Sequence, residues 1–216
     1  MNAKKFFFYL LAVLLGGCVP ILSLHPLFTE KDVVFDEKLL GTWVDDPNSP
    51  EATWEFKRAD TNDNAYRLIF SDKEGKKGMF VAHLVKLKDK LFLDIYPAPW
   101  EQQDPNKVEW VYNTLFLIPA HTFIKVNSVE PQLKMQLTDD EKMAEFLKAD
   151  PNAVKFDSLE DGPGKYLLTA STKELQAFVL KYADDSRVFT GLMVYSRKKT
   201  ADPNAPVASK PGKTSK

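Results

Sequence analysis

Cysteine is almost absent from the chain. The 216 residues contain one, Cys18, which excludes an internal disulfide and therefore the disulfide-stapled scaffolds of small secreted proteins. Histidine is scarce too: His25, His83 and His121 lie far apart, and none has a carboxylate or cysteine at metal-ligand spacing. A Gly-x-Ser-x-Gly elbow, a zinc-binding helix motif and a phosphate-binding loop are missing as well. The sequence therefore predicts a protein that is not an enzyme and that has no cofactor or metal.

Long hydrophobic runs are also lacking. The segment Phe6–Leu15 (FFFYLLAVLL) has ten apolar or aromatic residues and follows two lysines, whereas crossing the hydrocarbon core of a membrane takes about 20 residues. A basic start, a short apolar run and the small residues Gly16 and Gly17 are typical of a secretory signal. We therefore predict that residues 1–17 are a signal peptide.

The order Leu15-Gly16-Gly17-Cys18 resembles the lipobox of bacterial lipoproteins. In that family the signal is cut before the cysteine, whose thiol and new amino group are then acylated. The resemblance implies lipidation of Cys18, attachment to a membrane through the N-terminal lipid, and a location in the cell envelope. Val19 follows in place of aspartate, which implies the outer membrane, facing the periplasm or the surface, if the source is Gram-negative. The alternative is an ordinary signal peptide with a stray cysteine.

Charge is distributed unevenly along the chain. Arg197–Lys216 holds six basic residues and one acid; without these and the two lysines of the signal, the 29 basic and 30 acidic side chains become 21 and 29. A body this acidic argues against nucleic acid as a partner, because phosphate binding needs a basic face. Residues 200–216 contain one large aliphatic side chain, Val207, and are predicted to be a disordered basic tail.

The remaining sequence divides into two parts. Residues 18–34 are expected to be the lipid anchor and a linker, because Pro26 favours extended backbone at His25. Residues 35–199 then form one domain, a length that suits a single hydrophobic core.

Alternation of apolar and polar residues dominates this domain. In Thr53–Arg58, for example, Trp54 and Phe56 share one face, and Glu55 and Lys57 share the other. Such period-two patterns, separated by short turns, predict an antiparallel meander. The predicted strands are Gly41–Asp45, Thr53–Arg58, Tyr66–Ser71, Met79–Lys88, Leu91–Tyr96, Val108–Ile118, Thr122–Val129, Leu133–Thr138, Tyr166–Thr169 and Thr190–Arg197. This number is enough to close a barrel and leave one or two strands over.

Two helices interrupt the strand pattern. Capping boxes at Thr138–Glu141 and Ser171–Glu174 predict where they begin, and Asp150-Pro151 predicts where the first one ends. Their apolar faces comprise Met143, Phe146 and Leu147 in the first helix, and Leu175, Phe178, Val179 and Tyr182 in the second. The predicted fold class is thus mainly β (α+β), an antiparallel meander barrel with two helices in its C-terminal half.

The segment Phe35–Val44 (FDEKLLGTWV) resembles the opening of the lipocalin-type barrels, in which a short helical turn leads into Gly-x-Trp. The resemblance implies structural roles for Gly41, for Trp43 at the closed end of the barrel, and for Arg197 lying over the tryptophan ring. The Thr-Asp-Tyr signature of true lipocalins is absent, and the second helix departs from their pattern. A plain core aromatic is the alternative for Trp43. The chain also resembles uncharacterised bacterial lipoproteins with a strand like Phe92-Leu93-Asp94, which implies no activity.

Aromatic side chains indicate where a ligand would bind, because barrels of this size can enclose one small molecule. The candidate ligand-binding residues are Trp54, Tyr66, Tyr96, Trp100, Trp110 and Tyr112. Trp100 lies in a loop expected at the barrel mouth, where it either covers a ligand or pins the loop. We expect Asp94 to be solvated on the outer face and His83 to be a hydrogen-bonded interior residue.

Two functions remain open after these observations. The first is a lipid-anchored, non-enzymatic binding module that holds a small apolar ligand or lipid. The alternative is an envelope scaffold or accessory interaction protein with a filled barrel. The two differ in whether the barrel interior has room for a ligand.

Overall fold

The computed structural model describes residues 21–48, 50, 52–59, 64–98, 119–158 and 166–198. Within them the strands are β1 (Leu22–Ser23), β2 (Val33–Val34), β3 (Gly41–Val44), β4 (Ala52–Arg58), β5 (Ala65–Asp72), β6 (Lys77–Leu87), β7 (Lys90–Pro97), β8 (Thr122–Ser128), β9 (Leu133–Leu137), β10 (Phe156–Ser158), β11 (Tyr166–Leu168) and β12 (Thr190–Arg197). The helices are α1 (Asp140–Ala149) and α2 (Thr172–Lys181), with 3₁₀ helices at Glu30–Asp32 and Glu37–Leu39.

Eight antiparallel strands close into a barrel. Each strand in the order β3-β4-β5-β6-β7-β8-β9-β12 is hydrogen-bonded to the next, and β12 returns to β3 through the pairs Ser196↔Val44 and Arg197↔Trp43. The prediction of a mainly β, lipocalin-like barrel with two helices is therefore confirmed. Closure satisfies the backbone groups on both sides of the barrel strands.

The two ends of the barrel differ. The 3₁₀ helix Glu37–Leu39 lies across one of them, which we call the closed end: Leu39 is fully buried, and its carbonyl accepts a 2.9 Å hydrogen bond from Trp43 Nε1. The turn at Lys88-Asp89, between β6 and β7, lies at this end too. At the opposite end, which we call the open end, lies the turn at Lys73-Glu74 between β5 and β6. The antiparallel pairing also places the start of β8 and the end of β9 at the open end.

Strand alternation sends side chains into two separate cores. In β7, Leu93 and Ile95 point into the barrel, whereas Phe92 points outward. The interior core includes Leu39, Trp43, Trp54, Phe56, Tyr66, Leu68, Leu84, Leu93, Ile124, Met135 and Tyr195. The outer core packs β6, β7 and β8 against both helices, with Val85, Phe92, Phe123, Met143, Phe146, Leu147, Leu175, Phe178 and Val179 among its members. The predicted apolar faces of both helices are buried here, apart from Tyr182, which is half-buried.

The segment Ile21–Val34, predicted to be a linker, is packed on the outer face of the barrel. Ile21 and Leu27 are fully buried in the outer core. The segment runs from the open end, where Ser23 exchanges two 2.8 Å backbone hydrogen bonds with His121, toward β2, which pairs with β6. The linker prediction is wrong for these residues, because their apolar side chains cover the barrel. We call residues 21–34 the N-terminal strap.

One helix start also differs from the prediction. The Ser171–Glu174 capping box of α2 is present, and α1 ends at Ala149 as expected. The N-cap of α1 is Asp139, however, whose carboxylate accepts from the Lys142 amide. Thr138 is fully buried, and its hydroxyl accepts a 3.1 Å hydrogen bond from the Ile21 amide. The Thr138 hydroxyl, which was expected to cap the helix, is thus bonded to the strap instead.

Several predictions fall outside the described residues. They concern the signal peptide at 1–17, the anchor at Cys18, the strand Val108–Ile118, the candidate ligand residues Trp100, Trp110 and Tyr112, and the tail at 200–216. Neither α1 nor α2, the helices of the described part of the chain, is long and apolar enough to span a membrane.

Candidate ligand site in the barrel interior

Trp54 lies at the centre of the candidate site. It points inward from β4 because it alternates with Glu55, and its ring packs on those of Phe56, Phe70 and Tyr195, with centroids 6.4, 5.3 and 6.1 Å away. The side chain is only 9 % exposed. Its indole nitrogen Nε1 is buried and has no hydrogen-bond acceptor among the described residues. An N–H group in that position costs about 1–3 kcal/mol unless something accepts its hydrogen bond.

The hydroxyl of Tyr195 is a polar neighbour of this indole N–H. Burial raises the pKa of Tyr195 above its usual value, and the nearby indole N–H of Trp54 offsets part of that rise. The indole and the hydroxyl do not meet in hydrogen-bond geometry, and the hydroxyl instead donates a long bond, 3.4 Å, to Met193 Sδ. The Tyr195 hydroxyl therefore does not satisfy the indole N–H.

Thr122 supplies a second polar atom to the interior. It has the same orientation on β8 as the inward-pointing Ile124, and it pairs with Ile95 of β7. Its hydroxyl oxygen is buried and has no partner among the described residues. Three strands separate β4 from β8 in either direction around the barrel, so Trp54 and Thr122 project inward from opposite walls.

Apolar side chains surround these two groups on the side of the open end. Phe70, Phe80, Leu137 and Met193 point inward and pack on the interior core, yet they are only half-buried. Toward the closed end most interior side chains are almost completely buried, although Val34, Phe35, Leu40 and Leu91 are half-buried there too. The open half of the interior therefore presents accessible apolar side chains beside the two unsatisfied polar atoms.

Two of the predicted ligand residues lie elsewhere. The Tyr66 hydroxyl donates to the Asp36 carbonyl and accepts from the Asp36 amide, at 3.0 and 2.7 Å, and its ring stacks on Phe35. Burial raises the pKa of Tyr66 to about 12, and its bonds tie the chain just before the closed-end 3₁₀ helix to the barrel. Tyr96 lies on the outer face of β7, with its ring centroid 4.5 Å from that of His121. Of the described aromatic candidates, Trp54 alone is in the site.

The structural residues implied by the lipocalin resemblance meet at the closed end. The Arg197 guanidinium lies over the Trp43 ring, 4.4 Å from its centroid. It donates to the carbonyls of Lys38 and Leu40, each at 2.6 Å, and forms a 2.8 Å ion pair with another side chain, Glu130. Gly41 passes directly beneath, where a Cβ atom would lie 2.7 Å from Arg197 Nη1. These contacts stabilise the closed end of the barrel.

A buried contact between Asp94 and His121 on the outer face was not predicted. Asp94, expected to be solvated, is fully buried beneath the strap, where its carboxylate contacts His121 Nδ1 and the Leu27 amide. His83 lies on this outer face, its ring 4.3 Å from that of Phe28, and not in the barrel interior. Sequence spacing could not reveal the pairing of Asp94 with His121, because it depends on the register of β7 with β8.

A groove of about 760 Å³ lies outside the barrel, between the end of α1, β10 and α2. The ion pair of Lys155 with Glu174, at 2.8 Å, lies in its wall. In the described part of the chain, no group of three histidine, cysteine or acidic side chains is arranged to hold a metal ion.

Comparisons of the chain with protein-family models, curated proteins and solved structures find no match. Functional inference therefore depends on the geometry of the sites. Among the described residues, the interior site presents two buried polar atoms without partners beside half-buried apolar side chains.

Proposed function

We propose that this protein is a lipid-anchored lipoprotein of the cell envelope, acylated at Cys18, which binds a small apolar ligand or lipid without catalysing a reaction. The ligand occupies the open half of the barrel interior. The observation that carries this proposal is the buried indole N–H of Trp54, which has no acceptor among the described residues. A ligand with a hydrogen-bond acceptor would satisfy it.

The lining indicates the chemistry of this ligand. The Trp54 N–H is a donor only, while the Thr122 hydroxyl both donates and accepts. The side chains of the interior core are apolar, and the Asp45 carboxylate adds to the rise in the pKa of Tyr195 that burial causes. The site therefore disfavours an anionic head group, and burying an unpaired charge is costly. The ligand class that fits is a neutral apolar molecule with a carbonyl group, such as an ester, amide or ketone.

The first test is mass spectrometry of the full chain extracted from membranes. We expect a denatured mass that includes acyl groups on Cys18, and a native mass that includes a further small molecule. If no molecule co-purifies, and an environment-sensitive neutral dye shows no saturable binding, the binding proposal is wrong. The acylation proposal is judged separately, on the denatured mass.

Substitutions then locate the site. Trp54→Phe keeps an aromatic ring but removes the N–H, and Thr122→Val removes the hydroxyl at nearly constant volume. Each should weaken binding about five- to tenfold, the value of one hydrogen bond. Thr122→Val should leave the stability of the ligand-free protein unchanged, whereas Trp54→Phe also shrinks a buried ring and should lower that stability. Thr53→Val is the matched control, because Thr53 is on the outward face of β4. Equal effects of Thr53→Val and Thr122→Val would contradict the interior site.

A second candidate function is a scaffold or accessory interaction protein of the envelope. It is favoured by the many interior side chains that are almost completely buried, by the outer groove and by the exposed side chains of Leu192 and Val194 on β12. Crosslinking in intact cells distinguishes it, because a scaffold should give defined heteromeric products. Recovery of the monomer alone, together with a bound small molecule, would favour the first proposal.

A further inference from the structure

We infer that the open end of the barrel is the membrane-facing surface, so that the ligand passes between the barrel interior and the lipid bilayer without crossing bulk water. This inference depends on the proposed acylation of Cys18. It adds an orientation and a partner surface, a bilayer, to that function.

The beginning of the strap fixes the position of the anchor. The Ile21 amide is bonded to Thr138, the first residue after β9, and Ser23 is paired with His121, the last residue before β8. Both β9 and β8 have these termini at the open end. The chain therefore enters the fold beside the mouth of the barrel.

Chain length leaves the anchor little freedom. Cys18 precedes Ile21 by three residues, and three extended residues span at most about 11 Å. The strand β6 joins the open end to the closed end with 11 residues, a length of about 36 Å along the strand. An acyl group on Cys18 can therefore reach a bilayer at the open end, whereas a bilayer at the closed end would require the strap to detach.

Exposed apolar side chains agree with this orientation. Among the described residues, the large hydrophobic side chains that are clearly exposed are those of Leu24, Leu192 and Val194, at 37, 57 and 36 %. Leu24 follows the Ser23 pair, and Leu192 pairs with Gln136 near the end of β9, so both lie in the open half, whereas Val194 pairs with Lys134 toward the closed end. Two of the three exposed apolar side chains therefore lie in the half of the barrel that the anchor can reach.

The other terminus leaves from the opposite side. The Lys198 amide donates a 2.8 Å hydrogen bond to the Thr42 carbonyl, next to Arg197 at the closed end. The last described residue is thus far from the proposed membrane surface. In this orientation the protein contacts the bilayer through its N-terminal lipid and through the mouth of the barrel.

The test uses the full, acylated chain in phosphatidylcholine vesicles. Because Cys18 is consumed by acylation and the chain has no other cysteine, an introduced cysteine is the only free thiol. Lys73→Cys places a fluorophore in an exposed turn at the open end, and Asp89→Cys places it in an exposed turn at the closed end. Nitroxide-labelled lipid head groups then report which label lies near the bilayer.

We expect several-fold stronger quenching at position 73 than at position 89. Equal quenching, which indicates a barrel lying on its side, or stronger quenching at position 89 would overturn the inference. The denatured mass of each sample verifies acylation, and dye binding verifies the interior site. A failure of the orientation is therefore distinguishable from a failure of either part of the proposed function.

Discussion

The carboxylate of Asp94 bridges His121 and the N-terminal strap: its Oδ1 lies 2.6 Å from His121 Nδ1, and its Oδ2 accepts a 2.7 Å hydrogen bond from the Leu27 amide. Asp94 is fully buried. A buried carboxylate is tolerated only when its oxygens are paired in this way. One side chain of β7 thereby holds both the strap and the residue that precedes β8.

Removing this carboxylate should destabilise the protein. Asp94→Ala leaves the Leu27 amide and the His121 ring without their acceptor, and we expect the free energy of unfolding to fall by about 3 kcal/mol. Asp94→Asn keeps an oxygen for Leu27 and should lose less. Urea unfolding measures both, with Asp157→Ala at an exposed position of β10 as the control. An equal loss in Asn and Ala variants would show that the Leu27 bond does not contribute.

Truncation of strap side chains should separate a packed strap from a linker. Ile21 is fully buried, whereas Leu24 is 37 % exposed. We expect Ile21→Ala to lower the free energy of unfolding by about 3 kcal/mol through the cavity it creates, and Leu24→Ala to change it by less than about 0.5 kcal/mol. Chemical denaturation checks both values. A negligible effect at Ile21 would restore the linker interpretation.

Gly41 should not tolerate a side chain. Its φ of +116° is strained for any other residue, and its Cβ would meet Arg197, which is held in place by the Leu40 carbonyl. We expect Gly41→Ala to cost about 2 kcal/mol or more in thermal or urea unfolding.

Two further measurements apportion this cost between strain and clash. Gly75→Ala is the control, because Gly75 has φ of +79° but open space around its Cβ position. In an Arg197→Ala background the clash disappears, so Gly41→Ala should cost less there. An unchanged cost would mean that backbone strain alone accounts for the effect.

Acid should weaken the start of α2 through Glu174. The Lys155 ammonium, followed by the Ser171 hydroxyl and amide, lowers the pKa of Glu174 to about 2. Because the folded pKa lies below the ordinary value of 4.5, the contribution of Glu174 to stability is complete above about pH 4.5 and is lost as the pH falls toward 2. Glu174→Gln should remove this part of the pH dependence of the unfolding free energy.

The matched control for this titration is Glu145→Gln, at an exposed position of α1. Added salt should reduce the difference between wild type and Glu174→Gln, because Glu174 and Lys155 are exposed to solvent. If both variants keep the acid sensitivity of the wild type, the transition does not report Glu174.

Strand alternation was sufficient to predict the barrel and much of its interior. Trp54 and Phe56 point inward, as their spacing indicates. The same rule failed for Tyr96, which was grouped with the interior aromatics although Leu93 and Ile95 of that strand are the residues that face inward. The reason is physical: a strand covered on both sides has two apolar faces, and its sequence alone does not show which one lies inside.

The contacts that the strap makes on the outer face of the barrel explain the wrong predictions for Asp94 and Thr138. Nothing in the sequence near Asp94 indicates that the strap covers it, and nothing near Thr138 indicates that its hydroxyl receives the Ile21 amide 117 residues away. Contacts of this separation depend on the assembled topology. The interior position of Thr122 could have been predicted, since Thr122 shares one face of the strand with Ile124 and Val126. A threonine in a strand gives no signal, however, that its hydroxyl lacks a partner.

The wide sequence separation of the strap contacts also sets an order of folding. Pro26 accepts a hydrogen bond from the Thr172 hydroxyl, and Leu27 accepts one from the Gln176 side chain, both residues of α2. These bonds cannot form until α2 has been synthesised and released. If the chain is exported from its N-terminus, as the proposed function requires, residues 21–27 complete their packing only after α2 has crossed the membrane. The proposed processing at Cys18 would then take place beside a strap that is not yet fully bonded to the barrel.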